Sequence, residues 1–216
     1  IDRFHQARVL LTPAGADQDT LLSTLQALLD THDMLRSRLN VDEDGRWNWE
    51  TTAPGSVRAE DLFRRVPFAE RPEDELTEVI AEAAAEAADT LAPDRGDMVR
   101  AVWIDRSEKN FGHLVLVIHH LGVDAISWEI ISADLGTAWR ALDQGRPVNL
   151  RRPLPFRAWA DALREEAVSP TRTAEVEQWE RMFSTAPPAL FPGPSDPVQD
   201  LWGRARHLTV ELPEEL

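Results

Sequence analysis

The feature that most restricts the fold is a run of five apolar residues, 114–118, which ends directly at His119 and His120. A short run in which every residue is apolar predicts a strand that is buried on both faces. A short loop follows, and from Ile126 onward the apolar residues recur at the spacing of one helix face. The two histidines are therefore predicted to lie at the end of a buried strand, just before a helix begins.

The remainder of the chain contains further segments with strand-like and helix-like patterns. Strands are predicted at residues 4–11, 35–41, 46–51, 98–105, 113–119 and 205–212. Helices are predicted from Asp17 to about His32, over 73–91, from near Ile126 to near Gly145, and over 156–167 and 173–183. Residues 186–204 are a predicted loop, because five prolines fall between 186 and 200. This order predicts the α/β (α+β) class, with a mixed sheet and flanking helices.

Composition excludes several kinds of partner and site. The net charge of −15 argues against nucleic acid or an anionic membrane as a partner. No apolar run has the length of a membrane-spanning helix, and the lack of cysteine excludes disulfides and thiolate metal sites. The histidines also lack the spacing of metal ligands, so no metal site is expected. A cysteine-free chain fits a cytoplasmic protein.

The adjacent histidines are the strongest candidates for chemistry, although such a pair alone is weak evidence. Side chains alternate along a strand, so His119 and His120 should point to opposite faces, and only one can face a given cleft. The positive end of the following helix favours a neutral imidazole, which can act as a general base. The simpler interpretation of either residue is a buried histidine that is hydrogen-bonded at the end of the strand.

Residues 119–125, which read HHLGVDA, resemble the HHxxxDG motif of the condensation-domain superfamily of nonribosomal peptide synthetases. Residues 31–37 (THDMLRS) and 155–160 (PFRAWA) resemble two further family segments, RHEMLRT and SFRDWA, in the expected order. The resemblance implies a chloramphenicol-acetyltransferase-like sandwich, of which residues 1–216 form the N-terminal subdomain. It also implies that residues 186–204 lead to a crossover strand and that the C-terminal subdomain lies outside this chain.

The resemblance gives each motif residue an expected role. His120 is expected to be the catalytic acid/base residue, whereas His119 packs against it or orients it. Asp124 is expected to form a structural ion pair with Arg36. The position of Asp124 just before a helix is also explained by a plain N-cap.

Two short segments indicate the subtype within the superfamily. Residues 123–128 (VDAISW) resemble the VDGVSW of epimerization domains, and residues 4–6 (FHQ) resemble their FNQ opening. In the segment that corresponds to residues 123–128, peptide-bond-forming members tend to read SDGWS. Ser127 and Trp128 are thus markers of subtype. Ser127 is otherwise explained as a helix cap, and Trp128 as a core residue. Ala125 stands where the motif has glycine, which would strain the site only if that position requires φ > 0.

The subtype implies a reaction and a set of partners. An epimerization domain inverts the Cα centre of an aminoacyl or peptidyl thioester, which is held on the phosphopantetheine of a carrier protein, and it binds no cofactor of its own. A second acid/base group, a glutamate in the family, is expected beyond Leu216. The expected partners are the carrier protein and the C-terminal subdomain. Amide-forming condensation and a non-catalytic recruitment module remain alternatives, and Ala125 is the only feature that favours the latter.

Overall fold

The computed structural model describes residues 4–184 and the single residues 196 and 198. The chain divides into two compact units, 1–162 and 163–216. The predicted loop at 186–204, apart from residues 196 and 198, and the predicted strand at 205–212 lie outside the described residues. All of the residues that resemble the family motifs lie in the first unit.

The first unit is built on a four-stranded mixed sheet and a separate hairpin. The six strands are β1 (His5–Thr12), β2 (Ser37–Val41), β3 (Trp47–Thr51), β4 (Phe63–Pro67), β5 (Val99–Asp105) and β6 (Gly112–His119). The main sheet has the order β1-β6-β5-β4, in which β4 and β5 are parallel and the other pairs are antiparallel. Strands β2 and β3 form the hairpin.

Helices cover both faces of the main sheet. In the described residues of the first unit the helices are α1 (Gln18–Thr31), α2 (Ala59–Leu62), α3 (Leu76–Asp89) and α4 (Ala125–Asp143). Helix α5 (Phe156–Ala167) runs into the second unit, which also contains α6 (Pro170–Ala174) and α7 (Val176–Ser184). Short 3-10 turns precede β2 at Asp33–Arg36 and precede α3 at Glu73–Glu75. Helix α1 begins where predicted, because the Asp17 carboxylate accepts a hydrogen bond from the backbone N–H of Thr20.

Strand β6 lies inside the sheet and is buried on both faces, as its continuous apolar run predicts. Leu114, Leu116 and Ile118 pack in one apolar cluster with α1 and α4. Val115 and Val117 pack in a second cluster with α3 on the opposite face. The expected α/β class with a mixed sheet and flanking helices is confirmed.

The structure differs from the sequence-based elements at three places. Strand β4 and helix α2 were not predicted; β4 is an edge strand of five residues that ends in proline and shows no regular alternation. The predicted strand at 35–41 begins only at Ser37, since Leu35 and Arg36 belong to the 3-10 turn. The predicted helix at 173–183 is wrong as a single helix, because α6 ends at Ala174 and α7 begins at Val176.

Residues 163–184 of the second unit are mainly helical. They contain the end of α5, then α6 and α7, and the N-cap of α6 is Ser169, whose hydroxyl accepts from the N–H of Arg172. The guanidinium of Arg172 binds Glu166 and Glu175 at 3.1 and 2.7 Å. The contact with Glu166 joins α6 to the end of α5, and the contact with Glu175 closes the C-terminal end of α6.

Candidate active site

His120 follows the last residue of β6 and faces the α4 side of the sheet. Gln6 pairs with Ile118 across the β1–β6 ladder, so the side chains of Gln6, Ile118 and His120 share one face. His119 follows Val115 and Val117 on the other face and is fully buried, with 0% of its surface exposed. The prediction that the two histidines face opposite ways is confirmed.

The side chain of His120 belongs to a chain of three hydrogen bonds. Its Nδ1 lies 2.7 Å from the carbonyl oxygen of Val123, and its Nε2 lies 3.0 Å from the amide nitrogen of Gln6. The amide oxygen of Gln6 accepts a hydrogen bond of 2.7 Å from the indole Nε1 of Trp128. Because an indole N–H can only donate and a carbonyl can only accept, the direction of every bond in this chain is determined.

The direction of the bonds specifies the tautomer of His120. Nδ1 must carry a proton in order to donate to Val123 O, and Nε2 must be unprotonated in order to accept from Gln6. The lone pair of Nε2 is the basic site of the imidazole. In this arrangement of hydrogen bonds, therefore, Nε2 is the nitrogen of the His120 ring that carries the free lone pair.

Phe4 covers one face of the imidazole of His120. The two rings are stacked, with centroids 4.6 Å apart and an interplanar angle of 20°. The backbone N–H of His120 also donates to the carbonyl of Phe4 at 2.8 Å, which extends the β1–β6 ladder by one bond. The start of β1 thus restricts both the backbone and the ring of His120.

His119 shapes the loop that follows it. Its Nδ1 accepts from the backbone N–H of Leu121 at 3.2 Å, and its carbonyl accepts from the N–H of Gly122 at 2.9 Å. Gly122 is closely packed: a Cβ there would lie 3.2 Å from the Met98 methyl carbon and 3.3 Å from the carbonyl oxygen of Met34. The buried imidazole of His119 and the lack of a side chain at Gly122 together determine the turn that leads to His120.

Asp124 is the N-cap of α4, in a reciprocal arrangement with Ser127. The carboxylate of Asp124 accepts from the backbone N–H and the hydroxyl of Ser127, both at 2.7 Å, while the Ser127 hydroxyl accepts from the N–H of Asp124 at 3.2 Å. The hydroxyl and the N–H of Ser127 lower the pKa of the Asp124 carboxyl below its ordinary value. Asp124 therefore acts as a helix cap that is charged at neutral pH.

The expected ion pair between Asp124 and Arg36 is not formed, and this prediction is corrected. The guanidinium of Arg36 instead binds three backbone carbonyls: those of Leu29 and His32 at the C-terminal end of α1, and that of Thr52 after β3. Unpaired carbonyls at a helix end attract a cation, and burial lowers the pKa of Arg36. Arg36 thus connects α1 to the hairpin, and the carboxylate of Asp124 is bonded to Ser127 in the N-terminal cap of α4.

Ala125 is the first residue of α4 and is exposed. Among the described residues, Ser107 is the only one other than glycine with a positive φ. The position that carries glycine in the family motif therefore does not require φ > 0 here. The methyl group of Ala125 imposes no backbone strain on the loop.

Trp128 is buried in the core, as expected, but its indole N–H also binds Gln6. Phe4 and Gln6 were singled out in the sequence only as markers of subtype, and their contribution to the site was missed. The signal that could have found them is the pairing of the first strand with the strand that ends in the histidines. The amino-acid pattern predicts both strands and does not specify which strands are neighbours.

Two further observations concern the described part of the chain alone. Within it, no group of three or more His, Cys, Asp or Glu side chains is placed to hold a metal ion. No helix in residues 4–184 is both long and apolar enough to span a membrane.

The family described as Condensation domain matches residues 2–216 of this chain. A linear gramicidin synthase protein of Brevibacillus parabrevis is 33% identical over 221 residues, which cover 99% of this chain and 3% of that protein. The chain thus spans a small fraction of the length of the relatives it matches.

Solved structures show the same fold. The epimerization domain from the third module of tyrocidine synthetase B superimposes with a TM-score of 0.75 at 23% identity, over 88% of this chain and 41% of that one. The first condensation domain of the calcium-dependent antibiotic synthetase, in complex with a substrate analogue, gives a TM-score of 0.72 at 20% identity, over 86% and 43%. The expected chloramphenicol-acetyltransferase-like fold is confirmed. The chain belongs to the condensation-domain family of nonribosomal peptide synthetases.

Proposed function

We propose that this chain contributes His120 to an epimerization domain, which inverts the Cα centre of an aminoacyl or peptidyl thioester. The substrate is carried on the phosphopantetheine of a carrier protein. In this proposal His120 removes or returns the Cα proton on one face of the substrate. The domain itself binds no cofactor, and its partners are the carrier protein and a C-terminal subdomain outside this chain.

The observation that supports this subtype is the position of its marker residues. Two segments separated by more than 100 residues, 4–6 and 123–128, resemble epimerization domains. Phe4 stacks on the imidazole of His120, and Gln6 and Trp128 are bonded in series to its Nε2. The residues that resemble those of epimerization domains therefore lie around Nε2 of His120. A domain that runs a different reaction would require different side chains at these positions.

The geometry of His120 suits abstraction of a proton. In the forward step the Nε2 lone pair takes the Cα proton, and the C–H electron pair moves into the thioester carbonyl to give an enolate. A proton returned to the opposite face of Cα completes the inversion. One imidazole does not reach both faces of the same carbon, so a second acid/base group is required, and we place it outside residues 1–216.

The proposal is tested by offering an L-aminoacyl carrier protein alone, in D₂O, to the complete protein that contains this chain. Epimerization predicts deuterium at Cα and a mixture of D- and L-residues after release of the thioester. Condensation predicts no change until an acceptor aminoacyl carrier is added, followed by amide formation. A recruitment module predicts binding to the carrier without turnover. Either of the last two results would overturn the proposal.

A further inference from the structure

We infer that Gln6, held in orientation by Trp128, is a positioning residue that fixes the tautomer of His120 and aims its Nε2 until the substrate displaces the Gln6 amide. The inference deepens the proposed function and rests on it, because it concerns the same imidazole. Its basis is the direction of the hydrogen bonds, and it predicts effects on protonation that a merely structural glutamine would not produce.

Gln6 is not free to present either end of its amide to His120. Trp128 is 3% exposed, and its indole N–H needs an acceptor, which the amide oxygen of Gln6 supplies at 2.7 Å. The amide N–H₂ group is thereby turned toward Nε2 of His120 at 3.0 Å. A rotated amide would place two donors against each other at the indole and leave the Trp128 N–H unpaired.

The orientation of this amide affects the proton on His120. A protonated imidazole would direct its Nε2–H at the N–H₂ group of Gln6, so donor would face donor. Hydrogen bonds made to the neutral form of a group disfavour its charged form. In the resting site, Gln6 and Trp128 together therefore select the tautomer in which Nε2 is the acceptor, and they preserve the lone pair that proton abstraction requires.

The same amide occupies the position that the substrate needs. Nε2 has one lone pair, and Gln6 holds it at hydrogen-bond distance. A substrate Cα–H that approaches Nε2 must displace the Gln6 amide. Once the proton has been transferred, the amide no longer competes for the lone pair, and it favours release of that proton back to the substrate.

The ionisable groups around His120 do not supply the same control. His5 and His119 point to the opposite face of the sheet from His120. The carboxylate of Asp124 is bonded to Ser127 within the α4 cap. Near Trp128, the guanidinium of Arg8 lies 5.5 Å from the indole centroid, and it also binds a carboxylate at 2.9 Å. The neutral amide of Gln6 is thus the polar side-chain group bonded to Nε2.

The test replaces the amide by a carboxylate. Gln6→Glu retains an acceptor for Trp128 and presents a negative oxygen to Nε2, which favours the imidazolium form. Nitrogen-15 NMR of labelled histidine distinguishes a protonated from an unprotonated ring nitrogen, and His120→Gln assigns the signal. We expect the protonated fraction of Nε2, measured at the same pH, to be higher in Gln6→Glu than in the wild type. Gln18→Glu, at the exposed start of α1, is the matched control for added charge and should leave that fraction at the wild-type value.

Activity gives a second readout. The rate of deuterium incorporation at Cα should fall by about 10-fold or more at neutral pH in Gln6→Glu and recover as the pH rises. Trp128→Phe, which lets the amide rotate, should move the pH profile in the same direction by less. An equal loss of rate at every pH, or an Nε2 that is protonated to the same extent in Gln6→Glu and in the wild type, would overturn the inference.

The two readouts separate this inference from the proposed function. If the NMR change occurs and the wild type exchanges no α-proton, the Gln6 linkage stands and epimerization fails. If exchange occurs but the NMR signals and pH profiles of both variants match the wild type, epimerization stands and the Gln6 role fails. Should Gln6→Glu not fold, Trp128→Phe carries the same test by pH profile.

Discussion

The indole Nε1 of Trp128, in the first turn of α4, lies 2.7 Å from the amide oxygen of Gln6 on β1. This bond connects the first strand of the sheet to the helix that follows the motif loop. It also orients Gln6 toward His120, 3.0 Å away. The bond that connects α4 to the sheet therefore also orients the amide that is bonded to His120. A substitution that disturbs this packing should also alter the chemistry.

Arg36 and Asp124 should contribute to stability independently. Arg36→Met removes the guanidinium that binds three backbone carbonyls at the end of α1 and after β3, and we expect a loss of about 1–3 kcal/mol in the free energy of unfolding. Asp124→Ala removes the cap of α4. Urea unfolding of the two single variants and the double variant should give additive shifts. A double variant no less stable than Arg36→Met would mean that the two residues form the ion pair after all.

Restoring glycine at position 125 should not raise activity. Ala125 occupies the first turn of a helix, where glycine costs backbone entropy and relieves no strain. We expect Ala125→Gly to lower the melting temperature slightly and to leave the rate of α-proton exchange unchanged. A large increase in that rate would show that the methyl group displaces His120.

Two glycines near the site should respond in opposite ways to an added methyl group. In Gly122→Ala the new Cβ meets the Met34 carbonyl and the Met98 methyl, so the loop must shift and both stability and exchange rate should fall. Gly136 lies within α4 with open space around its Cα, and Gly136→Ala should stabilise the protein by about 0.5–1 kcal/mol. Thermal unfolding and the exchange assay measure both. Equal effects of the two substitutions would contradict the described packing of the loop.

His113 should make stability depend on pH. Burial lowers the pKa of His113 below its ordinary value of 6.5, and Arg106 acts in the same direction. As the pH falls below 6.5 the unfolded chain binds this proton before the folded chain does, so the free energy of unfolding decreases until the folded-state pKa is passed. Urea unfolding at about pH 7.5 and about pH 5.5 should show a smaller decrease for His113→Gln than for the wild type. The same decrease in both proteins would show that His113 is not responsible.

Much of the fold follows from patterns within single segments. The run at 114–118 predicts a strand buried on both faces, and Asp17 predicts the start of α1, because burial and capping depend on neighbouring residues. Strand β4 is not predictable from its own residues, because it is a short edge strand that is stabilised by its pairing with β5. The break between α6 and α7 at Glu175 has no proline or glycine to signal it.

The position of His120 was predictable from the sequence, and its neighbours were not. The end of a buried strand before a helix follows from local patterns, whereas the choice of His120 as the acid/base residue rests on the resemblance to the family motif. Gln6 and Phe4 reach His120 through the pairing of β1 with β6, a contact between residues 114 and 116 positions apart in the chain. The ion pair expected between Arg36 and Asp124 is not formed, because Arg36 binds carbonyls of α1 and of the segment after β3 whereas Asp124 caps α4.

The most direct test of the account is the exchange of the substrate α-proton with D₂O, measured by mass spectrometry on an L-aminoacyl carrier protein. His120→Gln removes the base, and we predict that exchange slows by about 10²–10⁴-fold. His5→Gln, on the opposite face of β1 from Gln6, should exchange at the wild-type rate. Unchanged exchange in His120→Gln would contradict the assignment of this histidine as the acid/base residue.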